Sequence, residues 1–214
     1  MSSTEQSSGV GERIRNDFST EAWVLIPVGV GINVVVGTII QALRVPLFLD
    51  TIGTMLVAIL AGPWVAVVAG ILTNLVLGFT AGPQLIPFAL VNVAIALVVG
   101  YMAKRGWFRI ANTIGYWRLL AAGIVIALVG TFFSAPIAVF VFGGVTPGAQ
   151  GAITAAFLAS GNAIWTSVIS ASFITEPIDK TISITVAYLI AQSVPLRYLP
   201  RRGMNALNES AARD

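Results

Sequence analysis

Five charged residues define what chemistry the interior of this chain can hold: Arg44, Asp50, Glu176, Asp179 and Lys180. Arg44 and Asp50 are the only charges between Glu21 and Lys104, and the other three close an uncharged run that begins after Arg118. An ionisable side chain at the centre of a membrane helix costs about 2.5–3.5 kcal/mol, so it is kept at the membrane surface or facing a polar cavity. Asp179 and Lys180 can neutralise each other, which leaves Glu176 as a spare acid suited to a cationic or amine-bearing ligand. Catalysis is a poorer fit. The chain has no cysteine and no histidine, which excludes thiol catalysis, thiolate metal ligation and disulfides, and removes the commonest acid–base group. Asp50, Glu176, Asp179 and serines remain, with no triad-like grouping among them. No catalytic residue, metal or cofactor is therefore assigned.

Uncharged polar residues extend the candidate set. Asn92, like Asn74, can serve as an interhelical hydrogen bonder, worth on average about 0.6 kcal/mol. Gln84 lies nearer the outer end of its span. Trp165, close to Asn162, either stacks on a planar ring or anchors at the interface. Asp50 can cap a helix or line a pocket, and the two roles are compatible. Arg44 reads as an interfacial anchor or as a partner of Asp50. The candidate binding set is Asp50, Gln84, Asn92, Asn162, Trp165, Glu176, Asp179 and Lys180.

The elements that must position these residues are membrane helices. Of 214 residues, 57% are hydrophobic and only 10% charged, against about 25% charged in soluble domains. Mean hydropathy is +0.89. The net charge of +3 comes from cations in short clusters between apolar runs, a topology signal and not a nucleic-acid footprint. Residues 1–21 are polar and lack the apolar core of a signal peptide; 201–214 are polar as well. Both are expected to be cytoplasmic tails around a single transmembrane domain over 22–200, with one or two turns of interfacial helix at Glu12 to Phe18.

Span 1 is expected over 22–43. It carries Gly29, Asn33 and Gly37 on one face, a spacing that lets membrane helices approach closely, within the bundle or against a partner helix. Pro46 breaks the chain, and a short helix over 51–60, capped by Asp50 or Thr51, stops at Ala61-Gly62-Pro63. Further spans are expected at 64–79, 84–103 and 117–142, the last kinked at Pro136. A final span over 178–196 begins beside Pro177 and its flanking acids, which suit a helix N-terminus.

Cations order these spans. With Arg13 and Arg15 in the cytoplasm, Lys104, Arg105, Arg109 and Arg118 fall inside after four crossings. Arg197, Arg201 and Arg202 belong inside too, which permits only one more return crossing. Seven full spans would put them outside. The fold expected is therefore an all-α, six-helix transmembrane bundle with an outer-side re-entrant or hairpin segment around 148–175, allowed at membrane depth where it lines a cavity.

The run Pro46 to Thr54 (PLFLDTIGT), Gly62-Pro63, Gly70 to Leu75 (GILTNL), Phe142 to Thr146 (FGGVT) and Glu176 to Lys180 together resemble the substrate-binding membrane subunits (S components) of energy-coupling-factor (ECF) vitamin transporters, in particular those of unassigned substrate. The resemblance covers about 22–200. It implies a six-helix bundle that captures a vitamin-like solute at the outer face. It also implies a lid after helix 1, here carrying Arg44, Pro46, Thr51 and Thr54. Partners would be a transmembrane coupling subunit and two cytoplasmic ATPases, with toppling in the membrane releasing the solute. Family members commonly contact the coupling subunit through Ala-x-x-x-Ala on helix 1; this chain offers Gly29, Asn33 and Gly37 there. The lack of histidine argues against the nickel and cobalt branch.

A non-enzymatic solute-binding subunit of the cell membrane is thus the leading expectation. No GxxxxGK[ST] phosphate loop occurs, so ATP would be hydrolysed by other chains. A membrane sensor with a similar pocket and a stand-alone carrier are the alternatives. The first would need an output domain, and the second commonly carries an inverted repeat, which is not evident.

Overall fold

The computed structural model describes residues 17–110, 113–195 and 199–207, with backbone alone at 113, 114, 201 and 202. The polar segment with Arg13 and Arg15, most of the expected Glu12 to Phe18 helix, and Arg197 lie outside the described residues. The described chain is all helix: α1 Thr20–Ala42, α2 Ile52–Ala61, α3 Pro63–Thr80, a 3-10 turn Pro83–Phe88, α4 Ala89–Lys104, α5 Thr113–Phe142, α6 Ala149–Ala159, α7 Ile164–Ser193 and α8 Arg201–Leu207. Four stretches are long and apolar enough to cross a membrane: Thr20–Ala42, Pro63–Thr80, Pro83–Lys104 and Gly115–Phe142.

Local chemistry explains most boundaries. Ser19 caps α1 by accepting from the Ala22 amide. Gly62 at φ 96 followed by Pro63 turns α2 directly into α3, a conformation that glycine adopts without penalty. Every residue of α2 is buried, which explains how ten residues without a polar face remain helical.

The helices meet through small residues. A Cβ on Gly53 of α2 would lie 2.0 Å from the Gly29 carbonyl oxygen of α1, so the two backbones touch where neither residue has a side chain. Beside that contact Asn33 bridges three helices. Its carbonyl accepts from the Gly53 amide at 2.6 Å, and its Nδ2 donates to Thr54 Oγ1 at 2.8 Å and Thr73 Oγ1 at 3.1 Å. Thr54 passes the chain on to Asn92 of α4 at 2.9 Å. Gly29 and Asn33 are buried, and Gly37 packs against Asp50. The expected partner-helix face is thus turned inward and is internal packing, because α2 supplies the matching glycine.

Two further expectations differ. Pro177 does not start a helix: α7 runs unbroken through it for 30 residues, about 45 Å at 1.5 Å per residue. The acids beside it serve side-chain contacts within the bundle, not a helix N-terminus. The region 148–175 is accordingly a hairpin of two short arms, α6 and the first turns of α7, joined by the turn at Ser160 to Ala163. The segment after Arg202 is not a free polar tail over its described part. α8 puts Gly203 against Leu60, buries Ala206, and receives a hydrogen bond from Arg109 Nε to the Asn205 carbonyl at 2.9 Å.

The ends of the bundle differ in character. At one end Asp17, 2% exposed, pairs with Lys104 at 3.6 Å and accepts from the Trp64 amide at 3.4 Å. That end also holds α8. The 43–51 loop, the 81–85 turn and the 146–150 segment converge at the other.

Candidate functional site

A cavity of about 180 Å³ lies under the 43–51 loop. Its walls come from α1, the loop, α3, α4, α5, the start of α6 and the middle of α7. Six residues, Gln41, Ala81, Leu85, Pro147, Gly148 and Ala149, also line an outer vestibule of about 670 Å³, which adds Arg44 and Gln84. The two spaces are neighbours that share these six residues as a common wall.

The charged wall belongs to α7. Lys180 Nζ lies 2.5 Å from Asp179 Oδ2 and 3.4 Å from Glu176 Oε2, and all three residues are at most 4% exposed. Glu176 and Lys180, one helical turn apart, face the cavity. Asp179 points elsewhere. Its Oδ1 accepts from the Phe48 amide at 2.8 Å and the Leu49 amide at 2.9 Å, so a carboxylate of α7 holds the backbone of the loop. That loop carries left-handed backbone at Arg44 (φ 54) and Leu49 (φ 49), which costs non-glycine residues about 1–3 kcal/mol each. Gly130 of α5 makes room for the cluster: a Cβ there would meet Glu176 Oε2 at 3.2 Å.

Asp50 also lines the cavity and has no ion-pair partner among the described residues. Burial raises its pKa above the ordinary carboxylate value; the Lys180 ammonium opposes that and Asp179 adds to it. Thr51 occupies the N-cap position of α2 without a side-chain cap bond, and its buried hydroxyl has no hydrogen-bond partner. The expected Thr51 cap is therefore not made. Among the described residues no group of three or more His, Cys, Asp or Glu is arranged to hold a metal ion.

Of the eight candidate binding residues, Asp50, Asn92, Glu176 and Lys180 meet at the inner cavity and Gln84 at the vestibule. Asp179 stands behind them as the loop's anchor. Asn162 and Trp165 lie apart: Asn162 is exposed and donates to the Phe157 carbonyl, and Trp165, 40% exposed, packs edge-on to Phe140. Of the four residues expected in a lid, Thr54 sits inside α2 within the Asn33 network, while Arg44, Pro46 and Thr51 belong to the loop region.

Sequence reasoning missed Gln41, Gln150 and Ser172 as cavity residues. Gln41 continues the Gly29, Asn33, Gly37 stripe by one further turn, which was a usable signal. Gln150, buried at the start of α6, donates to Ser172 Oγ at 3.0 Å and closes the wall opposite the loop. Nothing local marks that pair. No family model, no curated protein and no solved structure matches the chain.

Proposed function

We propose that the chain is a multi-pass cell-membrane subunit that captures a small solute at the outer face, in the manner of an S component of an ECF-type importer. The observation that carries this reading is the cavity itself: a mainly apolar chamber into which a few polar and charged residues converge, roofed by a loop that a buried carboxylate holds in place. Such an apolar-walled space with a few convergent polar groups suits a small ligand. The 43–51 loop would act as the lid, with Asp179 as its latch.

In this reading α1, α2, α3, α4, α5 and α7 are the six crossings, and α6 with the turn before α7 forms the outer-side hairpin. Both termini are cytoplasmic. The grouping of Asp17, Lys104 and α8 at one end, opposite the loop, supports that topology. A transmembrane coupling subunit and two cytoplasmic ATPases would complete the importer. Because Gly29, Asn33 and Gly37 are internal, the coupling contact would use another face, such as the exposed side of α1 with Val28 and Val35.

The test is native mass spectrometry of the purified protein, together with affinity isolation from native membranes. A retained small solute and co-isolated coupling and ATPase subunits are expected. A protein that carries no solute and binds no member of a vitamin panel would refute the capture role.

A further inference from the structure

On the reading of the cavity as a solute site, we propose that the solute is a small organic cation, an ammonium- or amidinium-bearing molecule little larger than one ring, whose positive charge lies against Asp50 and Glu176.

Charge is the first ground. Three carboxylates, Asp50, Glu176 and Asp179, act electrostatically on a single ammonium, Lys180, which pairs directly with Glu176 and Asp179. Asp179 is committed to two loop amides and to Lys180. Lys180 is committed to Asp179 and Glu176, which leaves Asp50, whose neutral form burial favours until a cation arrives, without a counter-charge. A guest cation is what this wall lacks.

Hydrogen-bonding capacity left unfilled is the second ground. Glu176, 4% exposed, ion-pairs through Oε2 with Lys180 at 3.4 Å but makes no well-aligned hydrogen bond there. Thr51, 3% exposed, keeps its hydroxyl without a partner on the same cavity. Buried polar atoms are nearly always hydrogen-bonded, so two orphaned oxygens on residues that line one small space are where a guest's donors would bond once those side chains turn toward it. An N–H-rich cation satisfies both and a neutral apolar guest satisfies neither.

Size and shape are the third. A cavity of about 180 Å³ slightly exceeds the space of about 150 Å³ that holds benzene in an apolar protein core. Phe48 and Phe88 line it and can cover the guest's apolar part or face its charge.

The experiment uses the full chain in detergent and matched probes that differ only in charge: benzylamine, benzyl alcohol and benzoate, with butylamine, butanol and butyrate as a second set. Thermal unfolding is followed near neutral pH over a millimolar range. The expected result is that an amine raises Tm by several degrees while its alcohol and acid counterparts do not. The shift should shrink at least tenfold in apparent affinity in Asp50→Asn and in Glu176→Gln. An alcohol or acid that matches its amine, or an amine shift unchanged in both variants, overturns the cation assignment and leaves the solute site standing. No shift from any of the six probes, in a protein that also carries no solute by native mass spectrometry, overturns both. The wild-type comparison decides even if a variant fails to fold.

Discussion

Removing the Asp179 carboxylate should release the 43–51 loop. Two charge-assisted hydrogen bonds, to the amides of Phe48 and Leu49, are each worth about 1.5–3 kcal/mol, hence about 3–6 kcal/mol together. They act against the left-handed backbone at Arg44 and Leu49, which costs about 1–3 kcal/mol per residue. The two contributions are comparable, so the loop is held against its own conformational preference. Asp179→Ala removes the holding side, together with one of the two carboxylates that pair Lys180, and leaves the left-handed backbone unopposed. At about 1.4 kcal/mol per tenfold, a loss of about 3–6 kcal/mol favours local opening by roughly two to four orders of magnitude. Amide hydrogen exchange reads that opening directly. Phe48 and Leu49 should exchange about 10²–10⁴ times faster in Asp179→Ala, while amides in the middle of α3 stay protected and report that the bundle is intact. Asp179→Asn, which keeps an acceptor but no charge, should fall between. Unchanged exchange at Phe48 and Leu49 with α3 still protected would refute the latch.

Gly53→Ala should destabilise the protein by about 1–3 kcal/mol or more through overpacking, because its Cβ would lie 2.0 Å from the Gly29 carbonyl oxygen; Gly31→Ala, with no atom within 4 Å of its Cβ, is the neutral control in the same unfolding assay. Asn33→Leu breaks three interhelical bonds, about 2 kcal/mol at about 0.6 kcal/mol each, and an unaltered Tm would show the network to be energetically idle. Protonating Asp50 removes a negative charge, and its pKa is raised, so amine binding should weaken as pH falls through a range above that of ordinary carboxylates. Glu176, Asp179 and Lys180 face it from α7, so Asp50→Asn should shift that profile, not abolish all pH dependence; a profile identical to wild type would exclude Asp50 as the titrating group. The chain has no cysteine, so single introduced thiols report sidedness: Asn162→Cys should react with an impermeant maleimide from outside, and Arg105→Cys only after permeabilisation. Labelling of both from the same side would defeat the proposed topology.

Much of the helical layout was readable because its punctuation is local. Gly62-Pro63 and Gly82-Pro83 break the chain through backbone geometry that no tertiary contact alters. The expected helices at 22–43, 51–60 and 64–79 fall within two residues of α1, α2 and α3. Pro177 misled for the opposite reason. A proline beside acids is the signature of a helix start, and nothing local distinguishes it from a proline carried within a long helix whose acids have partners inside the bundle. The stripe Gly29, Asn33, Gly37 identified a close-packing face but not its occupant. That occupant is Gly53-Thr54, and a stripe on one helix does not name the short helix that will cover it. Asn162 and Trp165 were drawn into the site by residue type. They sit at the α6–α7 turn, where exposure and a local hydrogen bond account for them.

Asp50 and Asp179 are the same residue type in one cluster, yet the structure divides their labour. Asp179 spends both oxygens on protein groups, one on the loop backbone and one on Lys180. Asp50 lies on the cavity without an ion pair among the described residues. A carboxylate whose valences are filled by the fold contributes rigidity, and one left unfilled beside a cavity contributes affinity. Substitution should separate the two. If the cavity is the proposed solute site, loss of Asp179 should change how often the loop opens and therefore chiefly the rates of solute entry and release. Loss of Asp50 should leave the loop's anchoring bonds in place and alter which charge the proposed site accepts. Sequence alone ranks these two acids equally, because the distinction lies in whether Phe48 and Leu49 amides arrive at a side chain 130 residues away.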